Sequence, residues 1–143
     1  MLVPTKGRYS LRVMIDLAEH QTDGYIPLKT VAERQGISEK YLESIIKLLV
    51  KKKFLAGLRG KGGGYRLTRP PEEYTVYSIL ELTEDSLAPV SCLEEGANEC
   101  PHMRECRTLN LWQGLDKVIR DYLGGVTLAD LMYRENDWDD YVI

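Results

Sequence analysis

The chain has 143 residues, 43% hydrophobic and 29% charged, with 19 Lys and Arg against 22 Asp and Glu for a net charge of −3. That composition is that of a globular protein able to build a core, and it excludes a disordered, low-complexity or fixed-period repeat chain. No apolar run approaches the roughly 18 residues that span a bilayer, and the first residues lack an apolar signal stretch, so a cytoplasmic protein with no membrane partner is expected.

Charge is unevenly distributed. Residues 1–70 hold 14 Lys and Arg against 6 Asp and Glu, whereas residues 71–143 hold 5 against 16. The basic half carries the electrostatic footprint that phosphate binding requires, which the whole-chain average hides. The acidic half would repel a polyanion and suits dimerisation, sensing or both.

In chain order, Tyr9, Val13 and Leu17 with Leu11, Met14, Ile15 and Ala18 form the apolar face of a first helix, and Gly24 and Pro27 mark the loop after it. Residues 28–67 then read as a DNA-reading head. Ala32, Gly36, Ile37, Leu42 and Ile45 fall where a helix, a glycine turn and a second helix need small or apolar side chains. Ser38 offers an N-cap oxygen for the second helix, and Glu39, Lys40, Glu43, Ser44 and Lys47 leave its outer face polar enough to meet base edges. After the basic run Lys51-Lys52-Lys53, two short strands, Phe54 to Leu58 and Tyr65 to Thr68, flank the glycine-rich tip Arg59-Gly60-Lys61-Gly62-Gly63-Gly64. The expected fold is mainly α with a small β wing: a winged helix-turn-helix. A phosphate-cradling nucleotide loop is disfavoured, because Tyr65-Arg66-Leu67 continues as strand where a Gly-Lys-Ser/Thr ending would open a helix.

Pro70-Pro71 separates the wing from a short helix capped by Thr75, with Val76, Ile79, Leu80 and Leu82 as its apolar stripe. The expected DNA-binding domain is residues 1–83. Residues 84–106 form a long aperiodic loop that holds Cys92, Cys100 and Cys106, all of the chain's cysteines. From Arg107 to Leu123 a helical stripe returns as Leu111, Leu115, Val118, Ile119 and Tyr122, ending at Gly124-Gly125. With no evident partner in the same chain, this stripe is expected to pack on a second copy, and a two-fold homodimer would set two reading helices on successive major-groove faces of a DNA operator. Thr127 caps a last short helix, so residues 107–133 form the dimerisation helix and terminal helix, and an acidic tail with Asp137, Asp139 and Asp140 occupies residues 134–143.

Three thiols within 15 residues, with His102 among them, invite a soft metal or an iron–sulphur cluster, whose bonds can order a loop that has no regular structure of its own. An odd cysteine count in a reducing compartment argues against a structural disulfide. Zinc stays open, although no Cys-x-x-Cys pair is present. An enzyme with Cys100 or Cys106 as nucleophile beside His102 is disfavoured, since sequence adjacency is not the required spatial arrangement.

Six stretches together carry a resemblance: Thr5-Lys6-Gly7-Arg8-Tyr9, Glu33-Arg34-Gln35-Gly36-Ile37-Ser38, Tyr41-Leu42-Glu43, Arg59-Gly60 with Gly62-Gly63-Gly64-Tyr65, the three cysteines, and Val126-Thr127-Leu128-Ala129-Asp130-Leu131. The chain resembles the Rrf-type winged-helix regulators of bacteria, above all those that control iron–sulphur assembly. The resemblance implies a homodimeric transcription factor dimerising through the helix before Gly124, with a [2Fe–2S] cluster on Cys92, Cys100 and Cys106. It also implies base contacts from Lys40, Glu43 and Ser44 and a minor-groove contact from Arg59. Ser38, Tyr41, Lys47 and the wing's Lys61 complete the candidate DNA-contacting set.

The family's fourth-ligand positions depart here: Leu109 stands where the assembly regulators carry histidine, and Arg8 where nitric-oxide-sensing relatives carry an acidic residue. The candidates left are His102, a carboxylate such as Glu99 or Glu105, an acidic residue of the partner, or an exogenous ligand. A labile fourth position also suits a [4Fe–4S] cluster. The rival expectation is a metal-stabilised or cofactor-free regulator of cysteine metabolism that acts through a protein partner.

Overall fold

The computed structural model describes residues 3–84, 86–97 and 100–132, so Glu99 and the acidic tail lie outside the described residues. Three helices open the chain: α1 (Thr5–Glu19), α2 (Leu28–Gln35) and α3 (Glu39–Lys51). Each buries one stripe. Val13, Met14, Leu17 and Ala18 of α1, Val31 and Ala32 of α2, and Leu42, Ile45, Ile46 and Leu49 of α3 meet in one core, and along α1 and α3 these positions recur at three- and four-residue steps. A fully buried side chain of this size contributes about 1.5–3 kcal/mol.

Local chemistry sets the joints. Gly36 ends α2 in the left-handed conformation (φ 64°), Ile37 is buried, and the Ser38 hydroxyl accepts the Tyr41 N–H at 3.2 Å to start α3. The C-terminus of α3 closes on Lys53, a non-glycine residue at φ 63°, as the Phe54 N–H returns to the Leu49 carbonyl at 2.8 Å.

The wing is an antiparallel pair, β1 (Leu55–Leu58) and β2 (Gly64–Leu67), in register Leu55↔Leu67 to Leu58↔Gly64. The loop before α2 adds a third rung. Ile26 and Tyr65 exchange both backbone hydrogen bonds, at 2.8 and 2.9 Å. A Cβ on Gly64 would lie 2.1 Å from the Ile26 carbonyl oxygen, so this approach requires glycine.

A 3-10 turn over Pro71–Glu73 leads to α4 (Val76–Thr83), where Thr75 and Ser78 form the expected cap reciprocally. The loop contains a second 3-10 turn, Ser91–Leu93, before α5 (Leu109–Gly125) and α6 (Leu128–Leu131).

Two features differ from the local expectation. Helix α5 runs through Gly124 and Gly125 instead of stopping before them, and the chain leaves it at Val126, whose carbonyl accepts the Val76 N–H at 2.9 Å. The stop is thus tertiary. The terminal helix also returns to the head: Leu128 is fully buried beside Tyr74, and its N–H donates to the Tyr74 carbonyl at 2.8 Å.

Candidate nucleic-acid interface

Helix α3 and the wing line one groove of about 540 Å³, bordered by Glu43, Lys47 and Lys51 from the helix and by Leu58, Arg59 and Tyr65 from the wing. Three cations therefore share a single concave surface, which suits a polyanionic strand running between two DNA grooves. Lys40, Glu43, Ser44 and Lys47 are exposed on the outer face of α3, and Arg59 and Lys61 are exposed at the wing tip. Glu43 and Lys47 pair across one helical turn at 3.5 Å. With both side chains more than half exposed, that pair adds little stability and leaves the lysine available to phosphate.

Three of the candidate DNA residues are partly committed within the fold. The Ser38 oxygen is engaged as the α3 cap, and Tyr41 is half-buried with its ring edge-on to Tyr9 at 5.8 Å. The Ser44 hydroxyl donates to the Tyr41 carbonyl at 2.6 Å.

Sequence reasoning missed the residue that holds the wing to the head. Tyr74 is fully buried, and its hydroxyl donates to the Phe54 carbonyl (2.8 Å) while accepting from the Thr68 and Arg69 N–H groups (3.0 and 3.1 Å). The base of both strands is thereby tied to one oxygen. Arg69 lies over the Phe54 and Tyr74 rings at 5.0 and 4.6 Å. No periodic signal marks Tyr74, because its partners lie up to 20 residues away.

The same holds for Asp16, a buried carboxylate in the apolar face of α1. It receives the Arg34 guanidinium through both oxygens, as near as 2.6 Å, and the Gln35 amide at 2.8 Å. Burial pushes its pKa up, but the hydrogen bonds from Arg34 and Gln35 and the charge of Arg34 outweigh burial and hold it below the usual carboxylate value. A charge among Val13, Met14 and Leu17 does signal a buried partner in the sequence; which cation supplies it is not encoded locally.

In the cysteine loop, Cys92 sits in the Ser91–Leu93 turn, half-buried like Cys100, while Cys106 and His102 are exposed. The Cys106 sulphur lies 3.5 Å from the Thr108 hydroxyl, and hydrogen bonds from that hydroxyl and from the Thr108 and Leu109 N–H groups draw its pKa below the usual thiol value. Leu109 opens α5 with a hydrocarbon side chain that offers a metal nothing. Three free thiols are a donor set that suits a soft metal. Among the described residues, however, no three His, Cys, Asp or Glu side chains converge as a metal-binding group.

Leu111, Val118 and Tyr122 of the expected dimer stripe are 61%, 63% and 69% exposed, and none of the described residues of α5 is buried. Leu115 and Ile119 are half-buried, and α5 leans on α4, where Arg120 lies 5.8 Å over the Tyr77 ring. Ion pairs Lys117–Asp121 and Arg120–Asp116 line its polar side at 2.6 and 3.0 Å. No helix among the described residues is long and apolar enough to cross a membrane.

Comparison with known proteins gives a consistent result. The family model Rrf2, described as an iron-dependent transcriptional regulator, matches residues 3–134. The HTH-type transcriptional regulator IscR of Aliivibrio salmonicida is 38% identical over 132 residues, 92% of this chain and 77% of that protein. Among solved structures, CymR, the global cysteine regulator of B. subtilis, aligns with a TM-score of 0.74 at 34% identity, covering 92% of this chain and 95% of that one. IscR of T. potens aligns with a TM-score of 0.70 at 33% identity over 96% of both chains.

Proposed function

The chain belongs to the Rrf2 family of transcriptional regulators, and from that premise we propose that it acts as a two-fold homodimer on operator DNA, with an iron–sulphur cluster on the three-cysteine loop tuning its affinity. Like its relatives, it is a DNA-binding regulator and not an enzyme. The observation that carries the DNA reading is the shared groove of α3 and the wing with Lys47, Lys51 and Arg59 on its walls. Lys40, Glu43 and Ser44 of α3 meet base edges in the major groove, Arg59 enters the flanking minor groove, and Lys47 and Lys61 meet phosphate.

Cys92, Cys100 and Cys106 would hold the cluster, with His102 the nearest nitrogen in the sequence for a fourth bond. A bound cluster supplies an iron- and oxidant-responsive tether for the loop, and either a two-iron or a four-iron form fits three thiolates with a labile fourth position. The chain's own part is positional. The loop joins the head to α5, so ordering it changes how two heads are presented to one operator, by no more than its differential affinity for the two arrangements.

A second reading is a metal-stabilised or cofactor-free regulator of cysteine metabolism that works through a protein partner. Leu109 at the start of α5 favours it, as does the structural likeness to the B. subtilis cysteine regulator. One experiment separates the two: purify the protein without oxygen, record its absorption spectrum, assay iron and zinc together, and measure operator binding of wild type and the triple Cys→Ala variant. A visible chromophore with iron, lost in the variant along with an operator response, supports the cluster. Zinc alone or no metal, with unchanged operator binding by the variant, transfers the assignment to the second reading.

A further inference from the structure

Tyr9, Arg12 and Asp16 of α1 are spaced three and four residues apart and therefore share one side of the helix, a stripe running from half-buried Tyr9 and exposed Arg12 to Asp16 at the buried face. Every member grips the reading head. Tyr9 packs edge-on against Tyr41, in the first turn of α3. The Arg12 guanidinium lies 5.1 Å over the Tyr9 ring and donates to both the side-chain and the backbone carbonyl oxygens of Gln35. Asp16 takes the Gln35 amide and the Arg34 fork. Gln35, the last residue of α2, is thus held at its amide nitrogen, its amide oxygen and its main-chain carbonyl.

Only Gly36, Ile37 and Ser38 separate Gln35 from the start of α3. The stripe therefore fixes both ends of this short joint, Gln35 on one side and Tyr41 on the other. An ion pair with its carboxylate buried is weak ground for expecting net stability, because desolvation of Asp16 offsets its attraction to Arg34; what a satisfied polar network adds is one geometry in place of several. Among the described residues, no buried side-chain polar atom lacks a partner. Geometry is what base readout needs, since a donor displaced by a fraction of an ångström from a base edge loses its hydrogen bond.

We propose that Arg12 and Asp16 are positioning residues for base readout, acting through Gln35, Arg34 and Tyr41 to hold the first turn of α3 at one angle, and so set operator discrimination without touching DNA. This rests on the reading of α3 as the base-contacting helix. The stripe predicts a loss of specificity that is larger than any loss of affinity for DNA in general.

The test uses the full chain and duplexes selected by the wild type from a random pool. Gln35→Ala and Arg12→Lys leave the net charge unchanged and alter side chains outside the core, so they avoid the folding risk of an Asp16 substitution. Affinity for the selected duplex and for an unrelated duplex is measured at one salt concentration, alongside thermal unfolding. Both variants should bind unrelated DNA within about twofold of wild type, because the phosphate-facing cations are intact. Preference for the selected duplex should fall by on the order of tenfold or more, comparable to one mismatched base pair. Coupling between the two substitutions, measured as a double-mutant cycle on that preference, should be large. Unchanged preference in both variants overturns the proposal, and so does a parallel loss on both duplexes that tracks lost thermal stability. A wild type that selects no sequence at all refutes the α3 reading instead, which keeps the two failures distinct.

Discussion

Val118→Ala tests the dimer most directly. Valine to alanine removes two carbons, each worth about 0.8 kcal/mol when taken fully out of water. Val118 is 63% exposed in the single chain, so about 1 kcal/mol per protomer remains to be gained by covering it. Two-fold symmetry counts each substitution twice, giving about 2 kcal/mol per dimer, or about a thirtyfold weaker dissociation constant. Sedimentation equilibrium over a concentration series reads that shift. Val118→Asp, which brings like charges into the same patch, should give monomers that also lose operator binding. The head should be spared in both variants, because its core is drawn from α1 to α4, the wing and Leu128, and α5 adds no buried residue to it. A dissociation constant within about twofold of wild type for Val118→Ala, together with a dimeric Val118→Asp, places the interface elsewhere and defeats the reasoning.

At the wing, Arg59→Ala should weaken specific operator binding by on the order of 1–3 kcal/mol, whereas Lys61→Ala should chiefly reduce the salt dependence; fluorescence anisotropy titrations at several salt concentrations distinguish them, and normal operator binding by Arg59→Ala counts against the wing assignment. Tyr74→Phe removes the hydroxyl that serves Phe54, Thr68 and Arg69, and should cost about 1–3 kcal/mol in urea unfolding, with the wing amides the first to lose hydrogen-exchange protection. A wild-type unfolding midpoint would exclude Tyr74 as the wing's anchor. Asp16, facing Arg34 and His20, has a folded pKa below its ordinary 3.8, so its stabilisation is present above that value and is lost as pH falls through the lower folded value. Thermal unfolding followed from pH 7 down to pH 2 should show an acid-side decline that is reduced in Asp16→Asn, and an identical decline in the two proteins would remove Asp16 from the linkage.

What the sequence by itself determined is what local chemistry controls. Ser38, Thr75 and Thr127 cap the helices they precede, because a cap links atoms only three residues apart. Gly36 turns between α2 and α3, the wing pairs around its glycine tip, and the exposed apolar stripe of α5 lies at its helical period. The division of charge between the two halves needs no coordinates at all. What periodicity cannot name is the partner of a face. Only the tertiary structure decided that Asp16 meets Arg34 across 18 residues, that Tyr74 collects the roots of both strands, and that Gly64 must admit the Ile26 carbonyl. It also decided that α5 runs on through two glycines until Val126 pairs with Val76, and that Leu128 returns to the head's core. The cysteines mark the same boundary: spacing brought three thiols into one loop, but convergence on a metal depends on how that loop folds over itself and its surroundings, which spacing alone does not encode. These contacts join segments far apart in the chain, and their energy depends on the simultaneous packing of several elements, so no single window of sequence contains it.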